Sequence, residues 1–587
     1  MELLGRTITA TAILLLLSII CISGCQTSSK QQGPNNLTIE PLYLQADFTQ
    51  EAYQTGKVYD FFDVSVRTER ASPQSLPATF GRTPKVNTVR MLGGWHNQDV
   101  SGDTYKWGGN KFIYDFDQAT QRIDTWLNND WDIFQIVLDN PPWAFQRGYQ
   151  FVDKPDGVTY LEKDKNGVYG NGLPPADAHA WSQYIHDFIT HLINVYGKDT
   201  VKQWRFRIGS EIDTRPQHWS DTRQAFFDHY LNTVNAVKAA LPSAIVGAHF
   251  REASFKSAYV DYTGHIENAY APHFVKWAKE NNVPYDFLAI SYYPHIDKSH
   301  ELDMDAVYSH DLAPIQQHPD WNKNASLEIH EFKLIIKMKK AGFESVKTSH
   351  NAAFFAMFSK MLYQHNIQEV FQWGNQQNGQ LSSEALTQQA LKSMLGADIY
   401  KNTVSGTPNV KDNRVDAIFS QHSSSVYDLL LFNFNNRELS YQTPEKVNLS
   451  LIVKQPPQTH FQYRIGHINQ QTHTEQQFMA QYPKASLSVS QGGWRRDNAH
   501  PTMSITSALN DEGIAVFNRH KHELGKQTGL KWTEWQEAKT VSPNTVEYAS
   551  NNDSSNTVIK HIQSQNSKAL IVTDLESFAV QKIEVRF

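Results

Sequence analysis

Cysteine is almost absent from this chain. Its 587 residues hold two, Cys21 and Cys25, and none follows residue 25. A disulfide framework and a thiolate metal site are therefore excluded from everything beyond that point. Charge is also sparse: charged residues make up 19% and the formal net charge is -6. That balance argues against a nucleic-acid partner, which would call for a basic surface. The histidines near candidate strand ends, His96, His249, His295 and His330, show no close ligand spacing, so neither a metal nor a cofactor is called for. There is no internal repeat. What remains is 40% hydrophobic and 12% aromatic, with 14 Trp and 25 Tyr. A chain of this length exceeds one core and implies two or three domains.

The cysteines sit in a segment of their own. Arg6 precedes an apolar run, Ile8 to Ile22, which ends in Ile22-Ser23-Gly24-Cys25. This resembles a bacterial lipoprotein signal peptide. The resemblance implies cleavage before Cys25, palmitate or a similar acyl chain on that residue, and a membrane as a partner. Gln26 after the cysteine points to the outer membrane of a Gram-negative cell. An ordinary secretory signal is the plainer alternative. Residues 26–40 begin with a polar stretch, Gln26 to Asn36, suited to a flexible tether.

From residue 41 to about 400, short apolar strands alternate with helices. The expected strands are Val58 to Val66, Val86 to Leu92, Ile133 to Leu138, Gln203 to Gly209, Ala244 to Phe250, Phe287 to Tyr293, Leu327 to Phe332 and Val370 to Gly374. Helical spacing marks Phe116 to Asn128, Ala176 to Tyr196, Thr222 to Ala240, His273 to Asn281, Asn351 to Tyr363 and Glu384 to Leu395. Strands alternating with helices argue for a parallel sheet, and eight of them for an α/β fold of the (β/α)8 TIM barrel type. After residue 400 strands follow one another without helices: Val426 to Phe434, Val447 to Val453, Ala569 to Val572 and Val580 to Phe587. Residues 401–587 therefore read as a β-sandwich domain, with one helical insertion expected at Gln470 to Tyr482.

Two strands end in carboxylates. The run Trp204-Arg205-Phe206-Arg207-Ile208-Gly209 has strand alternation, and Ser210-Glu211 follows it. Ala325 to Phe332, Ala-Ser-Leu-Glu-Ile-His-Glu-Phe, carries Glu331 at its end. In a parallel barrel, strand C-termini line the site. Two carboxylates there are what glycosidic bond cleavage requires. Asp213 competes with Glu211 but sits two residues further out. Glu328 competes with Glu331, yet alternation puts it on the opposite face and deeper in the strand. Aromatic faces suit sugar rings, which makes Trp95, Trp143, Tyr293 and Trp373 candidate substrate contacts. His96, Ser210, His249 and His295 join them by position.

These stretches resemble the retaining hydrolases of clan A, and most of all glycoside hydrolase family 39. The matching residues are Gly209-Ser210-Glu211, His330-Glu331-Phe332, Pro141-Pro142-Trp143, Asp286-Phe287 with Tyr293, Trp373, and Arg464 to Asn469 in the second domain. The resemblance implies Glu211 as acid/base and Glu331 as nucleophile, acting on an oligo- or polysaccharide. Two positions depart from the family: Ser210 stands where an Asn is usual, and Ser291 where a His is usual. The departures leave open a modified sugar, or a non-catalytic glycan-binding surface lipoprotein on a degenerate barrel. Arg90, Arg215 and Arg251 near the strand ends suit an anionic ligand such as a sulfated algal galactan. The choice between exo and endo action and the oligomeric state stay open.

Overall fold

A computed structural model describes principally residues 41–52, 116–129, 131–138, 177–213, 218–219, 221–251, 270–292, 303–332, 349–373, 383–411, 413–435, 443–454, 459–468, 530–541 and 566–587, with short strands between them. The chain divides into Met1–Ile39 and a compact unit Glu40–Phe587. The first of these, with the expected signal segment and Cys25, lies outside the described residues, as does the expected helix at 470–482.

In the compact unit every strand expected before residue 400 is present. In chain order they are β2 (Phe62–Ser65), β3 (Lys85–Val86), β4 (Val89–Arg90), β5 (Asp132–Ile133), β6 (Gln135–Leu138), β7 (Arg205–Ile208), β8 (Ile245–Phe250), β9 (Phe287–Tyr292), β10 (Ser326–Phe332) and β11 (Val370–Trp373). They form one parallel sheet in the order β4-β6-β7-β8-β9-β10-β11-β2-β3-β5. β4 follows β3 in the chain and β5 runs into β6. Val86 pairs with Val64 on one side and Ile133 on the other, while Arg90 pairs with Val137.

Helices connect these strands: α1 (Asp117–Leu127), α2 (Ala178–Tyr196), α3 (Arg223–Ala240), α4 (Ala271–Glu280), α5 (Ser349–Gln364) and α6 (Ser383–Lys392). Their starts follow capping chemistry. The Asp177 carboxylate accepts from the N–H groups of His179 and Ala180, and the Thr222 hydroxyl accepts from that of Ala225. Helix α2 buries Trp181, Tyr184, Ile185, Phe188, Ile189 and Leu192. That 3.6-residue stripe is the one its spacing implied.

Two further large sheets are built from other strands. One holds β1 (Leu42–Asp47), β13 (Asn402–Ser405), β16 (Glu445–Lys454) and β20 (Asn566–Leu575). The other holds β12 (Asp398–Tyr400), β14 (Asn413–Ser423), β15 (Val426–Asn435), β17 (His460–Ile468), β18 (Lys531–Trp532), β19 (Gln536–Lys539) and β21 (Val580–Arg586). Apolar residues of both sheets join one core, among them Leu44, Leu449, Ile571, Leu429, Leu431 and Ile583. The division at residue 400 needs one amendment. β1 lies in the range assigned to the barrel, yet it pairs with β16 in parallel and β13 antiparallel. Its alternating buried pattern, Leu42, Leu44 and Ala46, needs that sheet face for burial.

Candidate functional site

The site is best assembled from the strand ends. At the end of β7 the chain turns through Gly209, at φ +75, and Glu211, at φ +46. A left-handed glutamate is uncommon and costs backbone energy, so neighbouring contacts must hold it. Three do. The Ile212 N–H donates to the His249 carbonyl at 3.3 Å. The Arg251 N–H donates to Asp213 Oδ1 at 2.5 Å. His218 Nδ1 meets the Ser210 carbonyl at 2.6 Å. Two of these partners come from β8 and its end, so the turn is anchored on the neighbouring strand. Asp213 is fully buried as part of that anchor. The Glu211 side chain is 14% exposed, and its Oε2 lies 3.9 Å from His218 Nε2.

Glu331 depends on a register shift. Along β9 and β10, Ala289 pairs with Glu328 and Ile290 with Ile329, but Ser291 pairs with Glu331. The β10–β11 pairing also shifts between Ile329 and Phe332. An extra residue is therefore inserted in β10 at His330, a β-bulge of the kind that re-aims side chains beside active sites. Ala289 and Ser291 share a face of β9, so their lateral partners Glu328 and Glu331 share a face of β10. The expectation that alternation sends the two glutamates to opposite faces is therefore wrong; the bulge resets the period. Glu331 is 6% exposed and Ser291 likewise. Ser291 Oγ lies 3.1 Å from His249 Nε2. A chain of contacts thus runs from the Glu211 turn through His249 and Ser291 to the strand pair that carries Glu331.

Glu328 lies deeper than Glu331. It is fully buried and bonded by Arg205, Ser326 and His330, with Arg205 Nη1 donating to Oε2 at 2.8 Å and His330 Nε2 to the same oxygen at 2.7 Å. Burial disfavours the Glu328 charge, but the Arg205 guanidinium and the His330 bond outweigh it and hold the carboxyl below the ordinary carboxylate range. Burial in turn pushes His330 down to about 4, against the pull of Glu328. The neutral imidazole has its proton on Nε2, because Nδ1 faces two donors, Arg207 Nη1 at 3.3 Å and Gln135 Nε2 at 3.4 Å. Arg205 also lies over the Phe287 ring at 4.2 Å. This network fills the sheet interior beneath the carboxylates.

The other expected contacts divide cleanly. Ser210 is buried next to Arg207, whose Nη2 reaches its hydroxyl at 3.5 Å. His249 is fully buried. Trp373 closes β11, with its side chain outside the description. Trp95, His96, Trp143, Tyr293 and His295 lie outside the described residues. Sequence reasoning missed His218 and Arg207. His218 stands seven residues beyond Glu211 in no strand or helix, so periodicity gave it no mark. Among the described residues no group of three His, Cys, Asp or Glu is arranged to hold a metal ion, and no helix is long and apolar enough to cross a membrane.

The model of glycosyl hydrolases family 39 matches residues 154–326. An alpha-1,4-L-rhamnosidase of Formosa agariphila is 36% identical over 496 residues, spanning 83% of this chain and 94% of that protein. The chain belongs to glycosyl hydrolase family 39. Among solved structures, a family 39 enzyme from Xanthomonas axonopodis pv. citri is 15% identical, with a TM-score of 0.57 over 93% of this chain and 97% of its own. A monomeric beta-xylosidase from Caulobacter crescentus CB15 is also 15% identical, with a TM-score of 0.56 over 93% and 99%. At that identity the two structures speak for the fold alone. As a family 39 member this protein is a glycosidase, and the non-catalytic alternative is set aside.

Proposed function

We propose that this family 39 enzyme is a retaining glycosidase whose acid/base is Glu211 and whose nucleophile is Glu331. The Glu331 carboxylate attacks the anomeric carbon while the bond to the leaving oxygen breaks and Glu211 gives that oxygen its proton. Water, deprotonated by Glu211, then releases the sugar from Glu331 with net retention. What supports this reading is the run of contacts linking the Glu211 turn, His249, Ser291 and the bulge at Glu331 at the C-terminal ends of adjacent strands of one sheet. The sheet itself we read as a closed eight-stranded barrel. Its support is that β3 with β4 pairs with β2 on one side and with β5 and β6 on the other.

For the substrate we propose an α-1,4-linked L-rhamnoside, on the strength of the Formosa relative. This replaces the sulfated galactan. The Ile22-Ser23-Gly24-Cys25 stretch continues to support an acylated, envelope-anchored protein.

The test is turnover of aryl α-L-rhamnosides and of rhamnan-type oligosaccharides, with proton NMR of the first anomer released. Glu211→Ala and Glu331→Ala should each lower kcat/KM by roughly 10²–10⁴-fold or more on unactivated substrate, with melting temperatures unchanged. Azide added to Glu331→Ala should yield a glycosyl azide of inverted configuration. A first product of inverted anomeric configuration from the wild type sinks the retaining mechanism. Near wild-type turnover by either folded mutant removes that residue's role.

A further inference from the structure

The structure brings one unassigned side chain against Glu211. His218 is 7% exposed, and its two ring nitrogens face different groups. Nδ1 lies 2.6 Å from the Ser210 carbonyl. A carbonyl oxygen only accepts, so Nδ1 must carry the proton. In the neutral ring that leaves Nε2 as an acceptor, and Nε2 is the nitrogen 3.9 Å from Glu211 Oε2. We propose that His218 is a positioning residue for Glu211: its Nδ1–H pins the backbone turn that carries the glutamate, and its Nε2 lone pair receives the proton-bearing carboxyl oxygen. This rests on the reading of Glu211 as acid/base.

The physical logic has two parts. The Glu211 backbone is left-handed at φ +46, a conformation that persists only under outside constraint. The Ser210 carbonyl precedes Glu211 directly, so the His218 bond acts on the peptide that sets that φ. The 3.9 Å separation is one side-chain adjustment beyond hydrogen-bond range, and such contacts tighten as substrate fills a site. A partner at Nε2 holds the carboxyl group in one orientation before transfer.

The experiment separates orientation from mere structure by leaving group. Two substrates are compared, an aryl α-L-rhamnoside with a strongly activated phenol and an unactivated rhamnoside oligosaccharide, with wild type, His218→Asn, His218→Ala and Glu211→Ala. Asparagine keeps an N–H near the Nδ1 position for the Ser210 carbonyl and lacks Nε2. For His218→Asn, kcat/KM on the unactivated substrate should fall roughly 10- to 100-fold, and on the activated one by less than about threefold, because only the former needs proton donation. His218→Ala, which loses both contacts, should fall further on both. Equal losses on the two substrates, or wild-type values for His218→Asn, overturn the proposal. Glu211→Ala with full activity on the unactivated substrate overturns the acid/base reading itself. If the wild type turns over neither rhamnoside, imidazole ¹⁵N NMR decides His218 without a substrate. The ring should be protonated on Nδ1 at neutral pH, and its Nε2 resonance should move in Glu211→Gln. An Nε2-protonated ring, or a resonance indifferent to residue 211, overturns the proposal.

Discussion

At the scale of single residues, Glu328 and His330 show how a fully buried carboxylate can be held by its neighbours. The pair is held by Arg205 and Arg207, and each group depends on the other for its state. Glu328→Gln removes the charge opposite Arg205, whose side chain is 11% exposed. A broken buried pair leaves an uncompensated cation, so urea denaturation should show a loss of about 3–5 kcal/mol with an unchanged m-value. The pH dependence follows from the same pair. His330 titrates near 6.5 when unfolded and at about 4 when folded. Between those values the unfolded chain binds a proton that the native state refuses, so stability is full above about pH 6.5 and falls as pH drops toward 4. Glu328, with its folded pKa lowered, adds stability above the ordinary carboxylate value that is lost as pH falls through the lowered one. Both act in the same direction. His229, pushed by burial to about 3, adds a third contribution of the same sign. The melting temperature should therefore decline from pH 6.5 to 4.5, and His330→Gln should flatten that decline by on the order of a few kcal/mol. An identical pH slope in the mutant refutes the His330 assignment.

At the scale of elements, most of the sheet was legible in the sequence. Apolar runs such as Leu327 to Phe332 and Ala244 to Phe250 fall within a residue or two of β10 and β8, because burial on both faces leaves few polar residues to confuse the pattern. The position of both carboxylates at strand ends was legible for the same reason. The bulge was not. It inserts one residue into β10 without any glycine or proline to announce it, and only pairing to β9 and β11 exposes it. Simple alternation from Glu328 therefore misassigned a face. The turn after β7 was half legible. Gly209 announced a strand end, but the left-handed Glu211 did not follow from its residue type. Gly209 is at φ +75, and a Cβ there would sit 2.5 Å from Ile212 Cγ1. Gly209→Ala should thus cost about 1–2 kcal/mol in backbone strain plus about 1–3 kcal/mol in overpacking. If the turn aims Glu211, activity on unactivated substrate should also fall on the order of 10²-fold, as expected for a displacement near 1 Å. A variant that loses stability but keeps full activity would show that the turn does not set the aim.

At the scale of the whole molecule, β15 explains why residue 400 is a poor place to cut. Its odd-numbered residues Leu429 and Leu431 belong to the core between the two C-terminal sheets. Its even-numbered residues Leu430, Phe432 and Phe434 belong to the core that extends under helix α5. Phe434 meets Phe354 of that helix with ring centroids 5.6 Å apart, and Lys360 of α5 donates to Asn402 at 2.8 Å and to Asp416 at 2.5 Å. The unbroken apolar run at 426–434 was visible in the sequence; its two separate partners were not, since period two names faces and not what covers them. β1 ties the same halves from the other end, entering the chain first and pairing with β16 roughly four hundred positions later. Removing residues 401–587 would strip α5 of three large apolar neighbours on β15, each worth about 1.5–3 kcal/mol. Their sum is comparable to the net stability of a typical domain, about 5–15 kcal/mol. A fragment ending at residue 400 should therefore fail to melt cooperatively and should elute as an expanded or aggregated species. Deleting residues 41–48 removes Leu42, Leu44, Ala46 and Phe48 from the second core, and should lower the melting temperature of the full chain while leaving one transition. A 41–400 fragment that stays soluble, melts in a single sharp step and retains turnover would show that the two cores are energetically independent, and that the shared strand is packing without obligation.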